Sequence, residues 1–243
     1  MVCEKPVGYG SMSSALPMAL HYHRWIIELI RPWLAGDVLE VGFGYGQYTR
    51  EIAPYVEKLV AVDCSPECVA SMRDVPDNVR IVLADITAPA FVEKLGEGTF
   101  DSAVCLNVLE HVEDDVTVLH RLLQVLRPSG KLLLLVPAHE VLSGRMDVLA
   151  GHYRRYNGKA LGRKLIAAGF ELVSSQFLNP LGGVGWWLNA KLLRPKDLSD
   201  QLINRQILWF DRFVLPISRL LDPLTGRFFG QSLWVVAARP ELD

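Results

Sequence analysis

The chain has 243 residues, 25 Lys and Arg against 27 Asp and Glu, 50% hydrophobic residues and a mean hydropathy of +0.21. This composition excludes disordered, collagen-like and coiled-coil classes, and the near-neutral balance lacks the basic footprint of a protein that grips a nucleic-acid backbone. The length suits one large α/β domain or, less readily, two small ones.

The first residues, MVCEKPVGYGSMSS, show no apolar core of a signal peptide, and no apolar stretch approaches eighteen residues; the purest run, 132–136, is too short to cross a bilayer. Cys3, Cys64, Cys68 and Cys105 fit no zinc spacing and read as reduced thiols, so a cytoplasmic protein is expected. Residues 16–34 place Leu16, Leu20, Ile27, Ile30 and Leu34 near helical spacing, with Pro32 near the end and Gly36 beyond it. Short apolar runs at 37–42, 59–63, 79–84, 100–106 and 131–136 then read as buried strands, with helices over 46–57, 66–73, 88–95 and 114–126 between them. Such alternation is the pattern of a parallel sheet covered on both faces. A helix over 162–169 leads to a strand at 170–177, and 232–238 gives the last strand. The stretch 180–230 is too long for a bare loop and reads as a helical insertion packed on the sheet.

The sharpest local signal is Glu40-Val-Gly42-Phe43-Gly44-Tyr-Gly46, directly after the first strand and opening a helix. Glycine is needed where a turn is tight and a ligand must approach the backbone. A dinucleotide turn reads G-x-G-x-x-G; here Gln47 stands where its third glycine belongs, which weakens an NAD reading. Asp63 ends the second strand, 21 residues after Gly42, where a carboxylate suits the two hydroxyls of an adenosine ribose. Asp85 follows the third strand, where a carboxylate can accept from the exocyclic amine of adenine. Singly, these are a tight connection and two helix-capping aspartates. In order, at three successive strand ends, they point to an adenosyl ligand.

The segments VLEVGFGYG (38–46), VAVD (60–63), LAD (83–85), FDSAVCLNVLEHVEDD (100–115) and LRPSGKLLLLVP (126–137) resemble the class I S-adenosylmethionine-dependent methyltransferases. The family often has Pro-Gly-Gly where this chain has PSG at 128–130. The resemblance implies a Rossmann-like α/β fold: a seven-stranded, mostly parallel sheet with the last strand antiparallel and helices on both faces. It implies S-adenosyl-L-methionine as cofactor, with Glu40, Gly42 and Gly44 on the methionine part, Asp63 on the ribose and Asp85 on the adenine. Phe43, Gly46, Cys64, Ile86, Asn107 and Val108 complete the expected cofactor-binding set, and 106–109 would line the floor under the methyl group. A sulfonium ligand carries no pyrophosphate, so no third phosphate-cradling glycine is required. The expected organisation is a single domain with an N-terminal helical cap over 1–34 and a cofactor-binding core over 35–138. Substrate, cap or dimer elements follow over 139–160 and 180–230. The stretch 139–156 looks like bacterial methyltransferases acting on small molecules and saccharides.

Methyl transfer is an in-line displacement for which alignment supplies much of the catalysis, although a hydroxyl acceptor also wants a base or a metal. His111, His139 and His152 are the catalytic candidates. Glu110 and His111 can equally organise the following turn, and His139 can be an ordinary loop histidine. Small-RNA 2′-O-methyltransferases and some quinone O-methyltransferases resemble 107–111 and hold a divalent metal on Glu-x-x-Glu-His. Asn107 replaces the first Glu here, which weakens a Mg²⁺ site, so no metal is expected. Tyr22, Arg154, Arg155 and Tyr156 are the substrate-binding candidates. The two arginines can clamp an acceptor carboxylate or phosphate, or pin their own loop to the sheet.

The leading function is methyl transfer to oxygen or nitrogen of a small molecule or saccharide. Its alternatives are an S-adenosylmethionine-binding protein without turnover and a metal-dependent RNA 2′-O-methyltransferase. Four of the six Trp lie beyond residue 180 with several Phe. They fit core and cap packing, a homodimer face, an apolar pocket, or contact with a membrane surface.

Overall fold

A computed structural model describes residues 18–188 and 201–241; Cys3, Leu16 and the 189–200 part of the insertion lie outside the described residues. Seven strands appear in chain order as β1 (Asp37–Val41), β2 (Lys58–Asp63), β3 (Val79–Leu83), β4 (Phe100–Leu106), β5 (Leu126–Pro137), β6 (Glu171–Leu178) and β7 (Ser232–Ala238). They form one sheet in the order β3-β2-β1-β4-β5-β7-β6. Pairings from β3 to β5 are parallel, while β7 runs antiparallel to both neighbours, as expected from the resemblance.

Successive residues of a strand face opposite sides, so two cores form. Leu39, Ala103, Leu132 and Leu134 point to one, where α4 (Ala90–Leu95), α5 (Asp115–Val125) and α7 (Gly158–Ala167) contribute Phe91, Leu122 and Leu165. Val38, Val104, Leu133 and Leu135 point to the other. There α1 (Leu20–Ile30) and α2 (Gln47–Ile52) supply Trp25, Ile26, Ile30 and Ile52, while the short α3 (Pro66–Ser71) follows β2. The central strands are therefore apolar throughout because both of their faces are covered.

The helix expected over 46–57 is α-helical only to Ile52, and three further differences bear on the loops. β5 starts at Leu126, because its pairing with β4 jumps from Phe100↔Leu126 to Ser102↔Lys131 and the PSG turn becomes an irregularity within the strand. α7 begins at Gly158 rather than 162, capped by the Asn157 side chain on the N–H groups of Lys159 and Ala160. An additional short helix, α6 (Arg145–Ala150), interrupts the loop after β5; it is too brief for a periodic signal, and Asp147 closes its start by accepting from the Gly144 N–H at 3.0 Å.

The insertion is helical, as α8 (Pro180–Leu188), α9 (Gln201–Trp209) and α10 (Leu215–Thr225), with a π-turn over Phe210–Val214 joining the last two. That turn aims Asp211 inward. Its carboxylate accepts from the backbone N–H of His21 at 3.2 Å and of Tyr22 at 2.8 Å. Ala19, the residue that opens α1, has no capping side chain of its own, so a distant aspartate satisfies the orphan donors. Within the described residues, α1 and the run from α9 to α10 are thereby tied together.

Ile30 is fully buried where α1 meets the sheet. Ile30→Ala should lower stability by about 2–5 kcal/mol in urea unfolding; a loss within error would show that α1 is not anchored there.

Candidate active site

After β1 the chain turns through Gly42, Gly44 and Gly46 with φ of +74°, +57° and +75°, a region that side chains rarely enter. A Cβ on Gly42 would collide with the side chain of Val108, and one on Gly46 with that of Met72. The turn is tied to β2 by the Gly42 N–H, which donates to the Val62 carbonyl at 2.8 Å. The Gly44 N–H donates to Asp63 Oδ2 at 2.9 Å, and Asp63 Oδ1 accepts from the Ser65 N–H at 2.8 Å. Each carboxylate oxygen has a second lone pair, so Asp63 joins two loops and keeps acceptor capacity for a ligand. Burial raises its pKa, against the opposing N–H donors of Ser65, Gly44 and Cys64.

Glu40 is buried as the penultimate residue of β1, and its Oε2 has no hydrogen-bond partner among the described residues. Burial, reinforced by the charge of Asp63, pushes its carboxyl up to about 7. Such an orphaned acid suits a cationic ligand group, which would satisfy it and stabilise the carboxylate. Phe43 packs on Ala61 and Cys68 under the turn. Asp85 Oδ1 accepts from the Thr87 N–H and hydroxyl at 2.8 and 2.7 Å, so this carboxylate closes its own turn; the neighbouring Ile86 is buried.

On the other side of the turn, Asn107 directly follows β4 with φ of +53° and donates its N–H to the Leu135 carbonyl at 2.8 Å, while Val108 faces Gly42. The Tyr22 hydroxyl reaches the side chains of Ser232 and Asn107, and burial pushes it up to about 12. Tyr22 thus brings α1 to the carboxyl end of β4 and the amino end of β7.

Glu110, His111 and His152 form a second constellation, with candidate ligand atoms all within 4.8 Å of one another. Glu110 Oε2 and His111 Nδ1 are buried without partners among the described residues. Burial pushes Glu110 up to about 8 and, with His152 nearby, pushes His111 down to about 4. The Nδ1 of His152 lies 3.0 Å from Asp147 Oδ1, the carboxylate–imidazole pairing that orients a metal-bound histidine. One carboxylate and two imidazoles suit a transition-type divalent cation better than Mg²⁺. No metal was expected from the sequence, and the geometry of these three residues reopens that point. His139 stands apart, stacked on Phe177 at 4.4 Å and Phe229 at 5.3 Å, with burial and Arg155 lowering its pKa.

The remaining substrate-binding candidates are engaged within the loop. Arg155 is buried; it donates Nε–H to Asp147 Oδ1 at 2.7 Å and a guanidinium N–H to the Ala138 carbonyl at 3.1 Å, and lies over the Trp186 ring. Asp147 sits below the usual carboxylate range because His152 and Arg155 outweigh its burial. The Tyr156 hydroxyl bonds the Leu109 carbonyl and Asp115 at 3.1 Å each, and Arg154 pairs with Asp115 at 3.2 Å. These contacts are the loop-pinning alternative. Asp115, Asp147 and Asp211, the three carboxylates that hold the caps, were not singled out in the sequence; only Asp147, three residues into a helix, carried a local signal.

A family model described as "Methyltransferase domain" matches residues 39–134. A ubiquinone biosynthesis O-methyltransferase of Pseudomonas fluorescens (strain SBW25) is 33% identical over 110 residues, 44% of this chain and 46% of that protein. One from Xanthomonas oryzae pv. oryzae (strain PXO99A) is 31% identical over 174 residues, 70% of this chain and 67% of that one. The chain thus spans about half the length of the Pseudomonas relative and two thirds of the Xanthomonas one. It belongs to the class I S-adenosylmethionine-dependent methyltransferases. Solved structures agree in fold. Haemonchus contortus phosphoethanolamine N-methyltransferase 2 matches with a TM-score of 0.63 at 15% identity, over 94% of this chain and 58% of that one. The [4+2]-cyclase SpnF matches at 0.60 and 17%, over 90% and 81%. A cyclase among these neighbours shows that this fold alone does not set the chemistry.

Adenosylmethionine is cationic at sulfur and at its amino group, and a cation prefers ionised Glu40. Its affinity, measured by calorimetry, should therefore rise with pH through about 7 and level off above it. Glu40→Gln should flatten that dependence, and an unchanged profile in the variant would remove Glu40 from the ligand site.

Proposed function

We propose that the chain transfers the methyl group of S-adenosylmethionine to a hydroxyl of a small, weakly charged molecule. The observation that carries this reading is the convergence, at the carboxyl ends of β1 and β2, of a backbone-exposing glycine turn with Asp63 and Glu40. Both acids are buried and both retain acceptor capacity. Oxygen rather than nitrogen is supported by the relatives' own names as O-methyltransferases. A small acceptor, a saccharide included, fits the net charge of −2 better than RNA does.

When bound, S-adenosylmethionine would supply an activated methyl group: the acceptor oxygen would take it in line as the carbon–sulfur bond breaks, leaving a neutral thioether, with the hydroxyl proton passing to water. The glycine turn and Asp63 would hold the adenosyl part and Glu40 the ammonium, leaving the methyl to project toward Asn107 and Val108. Tyr22, at the same edge, would line the acceptor side. Arg155 and Tyr156 act through the loop they pin, and would position the acceptor site rather than touch the acceptor. Holding the two reactants in line removes much of the entropic barrier.

A second reading adds a divalent cation on Glu110, His111 and His152, favoured by the orphaned Glu110 Oε2 and His111 Nδ1. Bound there, a cation would act as a Lewis acid on the acceptor hydroxyl.

Release of S-adenosylhomocysteine across a panel of phenols, sugars and amines tests both. Turnover confined to hydroxyl acceptors is expected, and turnover of amines alone would overturn the proposal. Under the second reading, a chelator and Glu110→Gln should each lower turnover about tenfold or more while leaving adenosylmethionine affinity intact. Chelator-insensitive turnover removes the metal.

A further inference from the structure

The run from α9 through the π-turn to α10 carries an apolar stripe that no described residue covers. Trp209, Phe213, Ile217, Leu220 and Leu224 follow one another at spacings of four, four, three and four, the period of a single helical face. They are 60%, 54%, 55%, 77% and 74% exposed, and Phe228 just beyond is 75% exposed. The opposite face is the one that packs: Leu215 and Ser218 are buried, and Asp211 caps α1. A contiguous apolar surface of this kind marks an interaction site.

Charge identifies what it meets. Arg205, Arg212 and Arg219 recur every seven residues along one flank of the stripe, and Arg227 stands at its end. Among the described residues, no ion pair includes Arg205, Arg212 or Arg227. Arg219 pairs with Glu28 at 2.6 Å. The acidic groups of the run are turned away, Asp211 into α1 and Asp222 onto the Asn179 N–H at 2.9 Å. An apolar face with bulky aromatics, edged by guanidinium groups of which Arg205, Arg212 and Arg227 have no carboxylate partner among the described residues, is the signature of a helix lying in a lipid interface. An antiparallel pairing of two copies along the same stripe would set the two arginine rows against each other, which like charge opposes.

We propose that this face docks flat on an anionic lipid bilayer, with the stripe in the boundary between headgroups and acyl chains and the arginines on lipid phosphates. The inference does not depend on the identity of the methyl acceptor. It does place the site's own cap at the membrane, since Asp211 and Arg219 of the docked run hold α1, and Tyr22 of α1 reaches Asn107.

Co-sedimentation of the full chain with phosphatidylcholine vesicles, with and without phosphatidylglycerol, tests this. Binding to the anionic vesicles is expected, weakened by salt, and much weaker on the neutral ones. Arg212→Gln and Arg227→Gln should each reduce partitioning about fivefold. Phe213→Ser combined with Leu220→Ser should abolish it. Unchanged adenosylmethionine affinity in every variant shows that the fold is intact. Failure to bind anionic vesicles overturns the proposal. So does a dimer in sedimentation equilibrium that the Phe213→Ser, Leu220→Ser pair dissociates, which would make a second copy the occupant.

Discussion

The carboxylate of Asp63 is the contact on which the site depends. It takes one N–H from the turn after β1 and one from the turn after β2, at 2.9 and 2.8 Å. That bridge requires β1 and β2 to be parallel neighbours in the register Val41↔Val62, and it requires Gly42 and Gly44 to sit at positive φ so that the Gly44 N–H faces the acid. The collision that any Cβ on Gly42 would have with Val108 extends the constraint to β4. Three strand ends are therefore locked around one carboxyl group, and the space they leave is framed by backbone and by oxygen atoms that still accept hydrogen bonds.

A similar economy holds the caps. Asp211 closes the start of α1 from the far end of the chain, Asp115 gathers Arg154, Lys164 and Tyr156, and Asp147 gathers His152 and Arg155. A buried charge is tolerable only when paired and hydrogen-bonded, and losing one partner is far costlier than never having had the pair. These three carboxylates thus make the cap geometry stiff. Glu40 and Glu110 differ: each keeps a buried oxygen with no partner among the described residues. The contrast between satisfied and unsatisfied buried acids separates the scaffold from the places where a ligand is to be expected.

The parallel core was legible in the sequence because its signals are local. Apolar runs, the Gly42-x-Gly44-x-Gly46 turn and Asp63 at a strand end each announce themselves within a few residues. Arg155 was not decidable in this way, since its choice between acceptor and scaffold depends on Asp147 and on the Ala138 carbonyl, which only the folded loop brings to it. The meeting of His152 with Glu110 and His111 joins two loops that follow different strands, and the cap that Asp211 places on Tyr22 spans 189 residues. The tryptophan excess also divided only in three dimensions: Trp234 is core, whereas Trp209 stands on an exposed face.

The central claim is that Asp63 organises the turn and binds the adenosyl ribose with the same carboxylate. Calorimetric titration of S-adenosylmethionine into Asp63→Ala, with the fold checked by circular dichroism, tests it most directly. The loss of charge-assisted hydrogen bonds to the ribose should weaken binding about tenfold or more. An intact Asp63→Ala protein that binds with the parent's affinity would contradict the account.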